Sequence, residues 1–172
     1  MEEELSLYIH IPFCVKKCLY CDFFSVAGST YEQQKAYIDV VRQEIEGCRP
    51  DADRYQAVSV FIGGGTPSCL PEGMIANLMQ SVFDVFRVRP DAEITIEVNP
   101  GTVNREKLTE YRTCRINRLS FGLQSADPEE LRRIGRIHNY EQFVAGYQLA
   151  REIGFDNINV DLMSALPGQT LA

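Results

Sequence analysis

The chain lacks an excess of basic residues. Its 172 residues include 17 Lys and Arg against 24 Asp and Glu, for a formal net charge of −7. Nucleic-acid-binding proteins need clustered cations, because much of their affinity comes from releasing the counterions of phosphates. The charge balance therefore argues against a nucleic-acid partner, although it leaves room for a small anionic ligand at a local site.

The chain also lacks a long apolar run and a secretory signal. No apolar stretch approaches the roughly 20 residues that cross a bilayer. The first residues, MEEELSLYIH, contain three glutamates and have neither a basic n-region nor an apolar h-region. We therefore predict a cytoplasmic protein with no integral membrane segment, in a compartment that keeps thiols reduced.

Five short segments are rich in β-branched and apolar residues, as buried strands are. They cover residues 7–11, 57–62, 93–98, 118–122 and 157–163. Each is followed by a polar or glycine-containing stretch, where a loop is expected. The sequence therefore predicts five strands.

Helical patterns separate these strands. Thr30 and Gln33 have the spacing of a capping box before a first apolar stripe. Asp127 and Pro128 indicate a later helix start, and Gly154 indicates a helix stop. The two clearest stripes comprise Tyr37, Ile38, Val41 and Ile45 and, further along, Met74, Ile75, Leu78, Met79, Val82, Phe83 and Phe86.

Alternation of strands and helices predicts an α/β fold with a parallel sheet, open or closed into a barrel. No linker or low-complexity tract divides the chain, so we expect one domain. After the fifth strand the sequence turns at residues 166–168 and ends soon afterwards. We therefore expect about five βα units here, with at least one more unit in a longer protein.

Three of the six cysteines lie close together in the stretch YIHIPFCVKKCLYCDFF, residues 8–24. In a reducing compartment, the spacing of Cys14, Cys18 and Cys21 indicates a metal site more than a disulfide. Zinc would need a fourth ligand or a water, and His10 is the nearest candidate although it lies in a strand pattern. Idle thiols are a further alternative. A [4Fe–4S] cluster explains the count better, because three cysteines leave one iron open to another ligand.

The cysteine loop resembles that of radical S-adenosylmethionine (SAM) enzymes. With HIPFC before it and Tyr20 inside it, the stretch resembles the oxygen-independent coproporphyrinogen III oxidase family, including its HemW-type heme-chaperone branch. The resemblance covers essentially the whole chain. It implies that residues 1–172 are the N-terminal part of a radical SAM core domain, a partial TIM-type (β/α) barrel truncated after about five strands.

The same resemblance implies the cofactors. Cys14, Cys18 and Cys21 would hold a [4Fe–4S] cluster, and SAM would bind the open iron through its amino and carboxylate groups. The reduced cluster of such proteins cleaves SAM to a 5′-deoxyadenosyl radical. Heme or a porphyrinogen, heme-acceptor proteins and an electron donor would be the further partners.

Other motifs fall in the loops after the strands, where such folds bind ligands. The glycines of FIGGGTPSCLP, residues 61–71, would let the backbone approach a ligand or simply make a tight turn. Glu97 in EVNPG could equally cap a loop or contact a ligand. Taken alone, Gln124, Arg136 and Asp161 are a loop amide, a solvated cation and a strand-end carboxylate.

The family resemblance assigns these positions to SAM. It implies that Gly64, Gly65 and Thr66 contact the methionine moiety and that Glu97 contacts the ribose. The remaining positions that match SAM-binding residues of the family are Tyr8, Tyr20, Gln124, Arg136 and Asp161. Two departures lie outside this set: Arg115 stands where relatives usually have glycine, and Ala126 stands where an aromatic residue is common.

Two functions share these residues. In the oxidase, the adenosyl radical abstracts hydrogen from propionate side chains of coproporphyrinogen III, and decarboxylation gives protoporphyrinogen IX. In the chaperone, the protein binds heme and transfers it to acceptor proteins. The oxidase branch typically has a further cysteine where this chain has Phe23, and a longer extension than the 13 residues before Cys14. We therefore favour the chaperone, with the oxidase as the alternative and a radical SAM enzyme of unrelated substrate as a third candidate.

The remaining cysteines and histidines receive structural interpretations. Cys48, Cys69 and Cys114 are interpreted as ordinary thiols near helix ends. His138 is expected to help start a helix at Asn139 and is not assigned as a heme ligand. The histidine motif expected of a heme chaperone would lie further along than this chain reaches.

Overall fold

The computed structural model describes residues 3–170, which form an α/β fold. A single 3-10 turn, Pro67–Cys69, lies between the second long strand and the helix after it. In chain order the elements are β1 (Glu3–Ile11), β2 (Phe13–Cys14), β3 (Val26–Ala27), α1 (Tyr31–Gly47), α2 (Arg49–Ala52), β4 (Tyr55–Gly64), α3 (Met74–Val85), β5 (Arg87–Val98), α4 (Arg105–Thr113), β6 (Arg118–Gln124), α5 (Pro128–Arg133), α6 (Tyr140–Ile153) and β7 (Asn157–Leu162).

The main sheet has five strands in the order β1-β4-β5-β6-β7, and all four neighbouring pairs are parallel. The predicted parallel sheet and all five predicted strands are confirmed. Because the order in the sheet follows the order in the chain, each unit adds beside the previous one. Within residues 3–170, β1 and β7 are the two edges and do not pair, so the sheet is open.

Several strands are longer than the apolar segments that predicted them. β5 begins at Arg87, although its first half, RVRPD, contains little to bury. This half is held by backbone pairing of Arg87 with Gln56 and of Val88 with Ala57 on β4. Apolar patterning therefore finds the buried half of such a strand and misses the half that only pairs.

Alternate residues of the strands face opposite sides of the sheet. On β4, β5 and β6 one set faces the helices and is almost completely buried, as for Ile62, Ile96 and Phe121, each 0% exposed. Full burial of one such side chain contributes about 1.5–3 kcal/mol. The other set is polar or small towards the strand ends, as at Glu97 and Gly122, and this second face forms the site described below.

The predicted helix signals are largely confirmed. Thr30 and Gln33 form the capping box of α1, and the second stripe forms α3. The stretch between Asp127 and Gly154 forms two helices, α5 and α6, of which the second starts with the predicted cap Asn139. The break follows from Gly135, which has φ 77° after the end of α5. No helical pattern was predicted for α2 or α4.

Arg115 adopts the left-handed conformation, with φ 64°, directly after the end of α4. This conformation favours glycine, which accounts for the residue expected there from the resemblance. The Arg115 guanidinium lies 4.8 Å from the centre of the Phe83 ring and donates to the Arg89 carbonyl at 2.9 Å. These two contacts hold the Arg115 side chain in place.

No helix of residues 3–170 combines the length and apolar character that a transmembrane span requires.

Candidate functional site: the cysteine loop and its cavity

The cysteine loop is fastened at its base and at its tip. At the base, β2 and β3 pair in parallel, and the Val26 amide donates to the Pro12 carbonyl at 2.6 Å. At the tip, the Leu19 amide donates to the Ile134 carbonyl beyond α5 at 3.0 Å. The three cysteines therefore lie on one short loop of defined position, and all three thiols are free and partly exposed.

A cavity of about 340 Å³ lies beside this loop, at the carboxyl ends of β4 to β7. Its wall includes the three cysteines of the loop. It also includes all the other predicted site residues apart from Tyr8. These are Tyr20, Gly64, Gly65, Thr66, Glu97, Gln124, Arg136 and Asp161. The fold thus brings together residues that are up to 147 positions apart in the chain, from Cys14 to Asp161.

Tyr8 is the predicted residue that does not line this cavity. It lines a second cavity, of about 330 Å³, between β1 and α1, and its side chain is 60% exposed. Its hydroxyl lies 3.0 Å from His10 Nδ1. Partial burial and, secondly, the charge of Glu97 raise the pKa of Tyr8. The strand register places Tyr8 and Glu97 on the same face of the sheet. A SAM contact by Tyr8 stays a prediction.

The glycine motif after β4 packs against the start of the cysteine loop. The amides of Gly65 and Thr66 donate to the carbonyls of Ile11 and Phe13 at 2.8 and 2.7 Å. A Cβ at Gly65 would lie 2.7 Å from the Phe13 oxygen, so no larger residue fits without moving the backbone next to Cys14. The motif therefore needs glycine here for close packing as well as for any ligand.

Glu97 places its carboxylate at the cavity wall. Its Oε2 accepts a hydrogen bond of 2.9 Å from the Gly64 amide. Burial raises the pKa of Glu97 above its ordinary value, the Gly64 amide and His10 oppose this, and Asp161 adds to it. Asp161 itself accepts hydrogen bonds from Asn159 at 2.7 Å and from Ser120 at 3.4 Å. The carboxylates of Glu97 on β5 and of Asp161 on β7 thus both line the cavity.

Gln124 reaches the cavity through a break in the strand. The pairing of β6 with β7 shifts register between Gly122 and Gln124, and Gln124 has φ 69°. A bulge of this kind re-aims a side chain at the end of a strand. A left-handed backbone at a non-glycine residue is strained, and such strain concentrates at functional sites.

Arg136 reaches the cysteine loop from the segment after α5. Its Nη1 lies 3.6 Å from Cys18 Sγ, and its Nη2 donates to the Gly122 carbonyl and, at 2.8 Å, to Asn99 Oδ1. Asn99 was not predicted as a site residue. Its signal was present, because it stands in EVNPG two positions after Glu97, at the end of a strand that carries a predicted ligand.

Tyr20 and Cys69 differ in their relation to the site. Tyr20 lines the cavity, and burial raises its pKa to about 12 against the opposing charge of Arg136, so the phenol stays protonated at neutral pH. Cys69 donates to the Phe13 carbonyl at 3.5 Å and does not line the cavity. Burial raises the pKa of Cys69 to about 11, as befits a packed, protonated thiol.

The walls of the cavity suit an acceptor-rich ligand. Among the described residues, two buried side-chain atoms have no hydrogen-bond partner, Ser25 Oγ and Arg136 Nε, and both residues line the cavity. Both atoms can donate a hydrogen bond, and buried donors are normally satisfied. Within residues 3–170, no three Cys, His, Asp or Glu side chains converge on a point suited to one ion. A four-iron cube is larger than one ion, so three thiols around it need no such convergence.

A family model described as the radical SAM superfamily matches residues 8–172. The chain belongs to this superfamily. The predicted family is thereby confirmed, and membership implies a [4Fe–4S] cluster and SAM as cofactors. The cavity and its three cysteines fit both groups.

Among individual proteins, the chain is similar both to heme chaperones and to an oxygen-independent coproporphyrinogen III oxidase. The heme chaperone HemW of Escherichia coli strain K12 is 40% identical over 167 residues, which is 97% of this chain and 44% of that protein. HemW of Bacillus subtilis strain 168 is 38% identical over 96% of this chain and 44% of that protein. The oxygen-independent coproporphyrinogen III oxidase of E. coli K12 is 39% identical over 98% of this chain and 37% of that protein.

The fold comparison agrees with these relatives. The solved structure described as coproporphyrinogen III oxidase (HemN) from E. coli, a radical SAM enzyme, superposes with a TM-score of 0.92 at 37% identity. The match covers 98% of this chain and 39% of that chain. The predicted partial barrel of the radical SAM class is confirmed. The chain spans less than half the length of these relatives.

Proposed function

We propose that this chain is the cluster- and SAM-binding part of a HemW-type heme chaperone, which binds heme and transfers it to acceptor proteins in the cytoplasm. The observation that carries the proposal is Phe23, at the position where the oxidase branch typically has a further cysteine. Phe23 lines the cavity beside the three cysteines, and its ring is 70% exposed. An apolar ring at this place offers no thiol to a substrate or cluster. The similarity to HemW proteins supports the same branch.

The cavity supports a definite division of roles. Cys14, Cys18 and Cys21 would hold three irons of the cluster, which when bound would supply the electron for SAM cleavage. Gly64, Gly65 and Thr66 would lie along the methionine part of SAM, and Glu97 would contact the ribose. The other side chains of the cavity wall, Tyr20, Gln124, Arg136 and Asp161, would make further hydrogen bonds to SAM.

Neither histidine of this chain suits a heme iron. The His10 ring nitrogens lie 3.0 Å from the Tyr8 hydroxyl and 3.1 Å from the Phe24 carbonyl. His138 is 6% exposed and its Nε2 lies 3.1 Å from the Leu123 carbonyl. Burial, with a further contribution from Arg136, lowers the pKa of His138 to about 4. We therefore propose that any histidine ligand of the heme iron lies outside residues 1–172.

The oxidase is the second candidate, and one observation favours it. The chain is as similar to the E. coli coproporphyrinogen III oxidase as to the chaperones, with 39% against 40% identity. The residues that line the cavity would bind the cofactors common to both proteins. We therefore expect substrate choice to depend largely on parts of the protein outside residues 1–172.

The test uses the full-length protein, reconstituted anaerobically with iron and sulfide and then reduced. It receives SAM and coproporphyrinogen III, and protoporphyrinogen IX and 5′-deoxyadenosine are quantified together. We expect SAM binding without decarboxylation, and stoichiometric heme binding in a separate titration that His138→Gln leaves unchanged. Turnover of coproporphyrinogen III would contradict the chaperone and establish the oxidase.

A further inference from the structure

Asn99 lies between two side chains that reach the cysteine sulfurs. Its Nδ2 donates to Thr66 Oγ1 at 2.9 Å, and its Oδ1 accepts from Arg136 Nη2 at 2.8 Å. Thr66 Oγ1 in turn lies 3.5 Å from Cys14 Sγ, and Arg136 Nη1 lies 3.6 Å from Cys18 Sγ. One amide thus joins two hydrogen-bonded arms, the Thr66 arm and the Arg136 arm, that end at different cysteines.

The chemistry of the amide sets the direction of both arms. A guanidinium can only donate, so the Asn99 oxygen must face Arg136 and the NH2 group must face Thr66. Thr66 Oγ1 then accepts from Asn99, and its single hydrogen is free to point at Cys14. Both arms therefore end in a donor directed at a sulfur.

Asn99 is held in place independently of these arms. Its backbone amide donates to Ser68 Oγ at 3.1 Å, and its carbonyl accepts from Thr102 Oγ1 at 2.7 Å. Ser68 is 0% exposed. Lys107 Nζ donates to the carbonyls of both Ser68 and Thr102, at 2.9 and 3.1 Å. The amide is thus a fixed point from which Thr66 and Arg136 are oriented.

We propose that Asn99 is a positioning residue that orients Thr66 and Arg136 as hydrogen-bond donors to the Cys14 and Cys18 sulfurs and thereby raises the reduction potential of the cluster. The inference rests on the proposed cluster. Hydrogen bonds to cysteine sulfurs stabilise the reduced form, which carries more negative charge, and they are one of the main determinants of cluster potentials. Asn99 would act on the potential without touching a sulfur.

The sharpest variant is Asn99→Asp, which keeps the shape and reverses the hydrogen bond to Thr66. A carboxylate only accepts, so the Thr66 hydroxyl would turn towards Asp and away from Cys14. The full-length protein is reconstituted anaerobically, and the cluster potential is measured by a redox titration followed by electron paramagnetic resonance. We expect a more negative potential than in the wild type. Asn99→Ala, which releases both arms without adding charge, is expected to shift the potential in the same direction by a smaller amount.

The negative charge of Asp lowers the cluster potential by itself, apart from any change in the hydrogen bonds. To separate the effect of the charge from that of the Thr66 hydroxyl, Asn99→Asp is also made in a protein that carries Thr66→Val. In Thr66→Val the hydroxyl is absent and only the charge and the Arg136 arm can act. Asn99→Asp is therefore expected to shift the potential less in Thr66→Val than in the wild type. An equal shift in both backgrounds, or an unchanged potential in Asn99→Ala, would overturn the inference.

Iron and sulfide contents distinguish this result from failure of the proposed function. A wild-type protein that binds no cluster under these conditions would contradict the proposed function itself. A wild-type protein with a full cluster, but with the same potential in the Asn99 variants, would contradict only the positioning role. If Asn99→Asp binds little cluster, the cluster potential of Asn99→Ala is compared with that of the wild type, and this comparison decides whether Asn99 has the positioning role.

Discussion

Glu97 Oε2 accepts a hydrogen bond of 2.9 Å from the backbone amide of Gly64, which joins the end of β5 to the glycine motif after β4. This bond orients the carboxylate at the cavity wall and leaves its other oxygen free for a ligand. Because burial raises the pKa of Glu97, the carboxylate gains from any further donor that a ligand brings.

Glu97→Gln should therefore weaken SAM binding. The substitution keeps an acceptor and the approximate shape but removes the charge, and hydrogen bonds to a charged group are stronger than those between neutral groups by about 1 kcal/mol. We expect the Kd for SAM to rise by roughly fivefold, measured by equilibrium dialysis on the cluster-loaded protein.

Glu93→Gln is the matched control for Glu97→Gln. Glu93 lies four positions earlier on the same strand, with a half-exposed side chain 3.7 Å from Arg118. It does not line the cavity. Its substitution should leave SAM affinity unchanged, and equal losses in both variants would argue against a SAM contact by Glu97.

Cys18→Ala should abolish cluster loading and SAM cleavage and leave the strands intact. Cys18 is a predicted ligand on the cavity wall, and its sulfur lies next to Arg136. Cys69→Ala is the control, because its thiol is buried and bonded to the Phe13 carbonyl. Iron content, visible absorption and circular dichroism are compared. SAM cleavage by the Cys18 variant would refute the cluster assignment.

Gly65→Ala should destabilise the protein and reduce cluster loading together. Its Cβ would lie 2.7 Å from the Phe13 oxygen and 2.9 Å from the Pro12 carbonyl carbon, so the backbone before Cys14 must move. We expect a loss of about 1–3 kcal/mol in the free energy of unfolding. Gly47→Ala makes the same change where no atom lies within 4 Å, and it should cost nothing. Unaltered stability and iron content in Gly65→Ala would contradict the close packing.

Acid should destabilise the protein partly through His138. Its pKa is lowered to about 4 in the folded chain, mainly by burial, whereas an ordinary histidine titrates near 6.5. As the pH falls from about 6.5 to 4, His138 binds a proton in the unfolded chain but stays neutral in the folded chain. The free energy of unfolding therefore has its full value above this pH window and decreases as the pH falls through it. The decrease due to His138 should be on the order of 3 kcal/mol.

His138→Gln isolates that contribution. Glutamine can still donate to the Leu123 carbonyl but does not titrate. Urea unfolding at several pH values between 7 and 4 should show a smaller loss of stability in the variant than in the wild type. Parallel curves for the two proteins would mean that His138 does not titrate as its buried position requires.

Much of the fold follows from patterns that reside in short segments. The five strands and the helices α1 and α3 have apolar residues at regular spacing, and α1 has its capping box. α4 escaped prediction because only Leu108 and Tyr111 of its residues are buried, which is too few for a visible stripe. Periodicity therefore detects elements that bury a continuous face, and it misses short helices that cover only a corner of the sheet.

The candidate site likewise has residues that the sequence predicts and one residue whose role only the structure shows. The spacing of the cysteines is local, so it could be found in the sequence, and the family resemblance supplied the remaining residues that line the cavity. Asn99 stands in EVNPG beside the predicted ligand Glu97, but this position alone does not indicate its role. Its significance comes from contacts with Thr66 and Arg136, which are 33 and 37 positions away, and from the direction that these contacts impose. Only the folded chain brings these groups together.

The contact of Arg136 with Cys18 also has a consequence for biosynthesis. These residues are 118 positions apart, and ribosomes add about 5–20 residues per second, so Arg136 is made roughly 6–24 s after Cys18. Leu19 is likewise made before Ile134, so the tip of the loop can be fastened only after residue 134 has been synthesised. During translation the Cys18 thiol therefore precedes by several seconds or more the residues that fasten the loop and contact its sulfur, so it would stay accessible to cluster delivery over that interval.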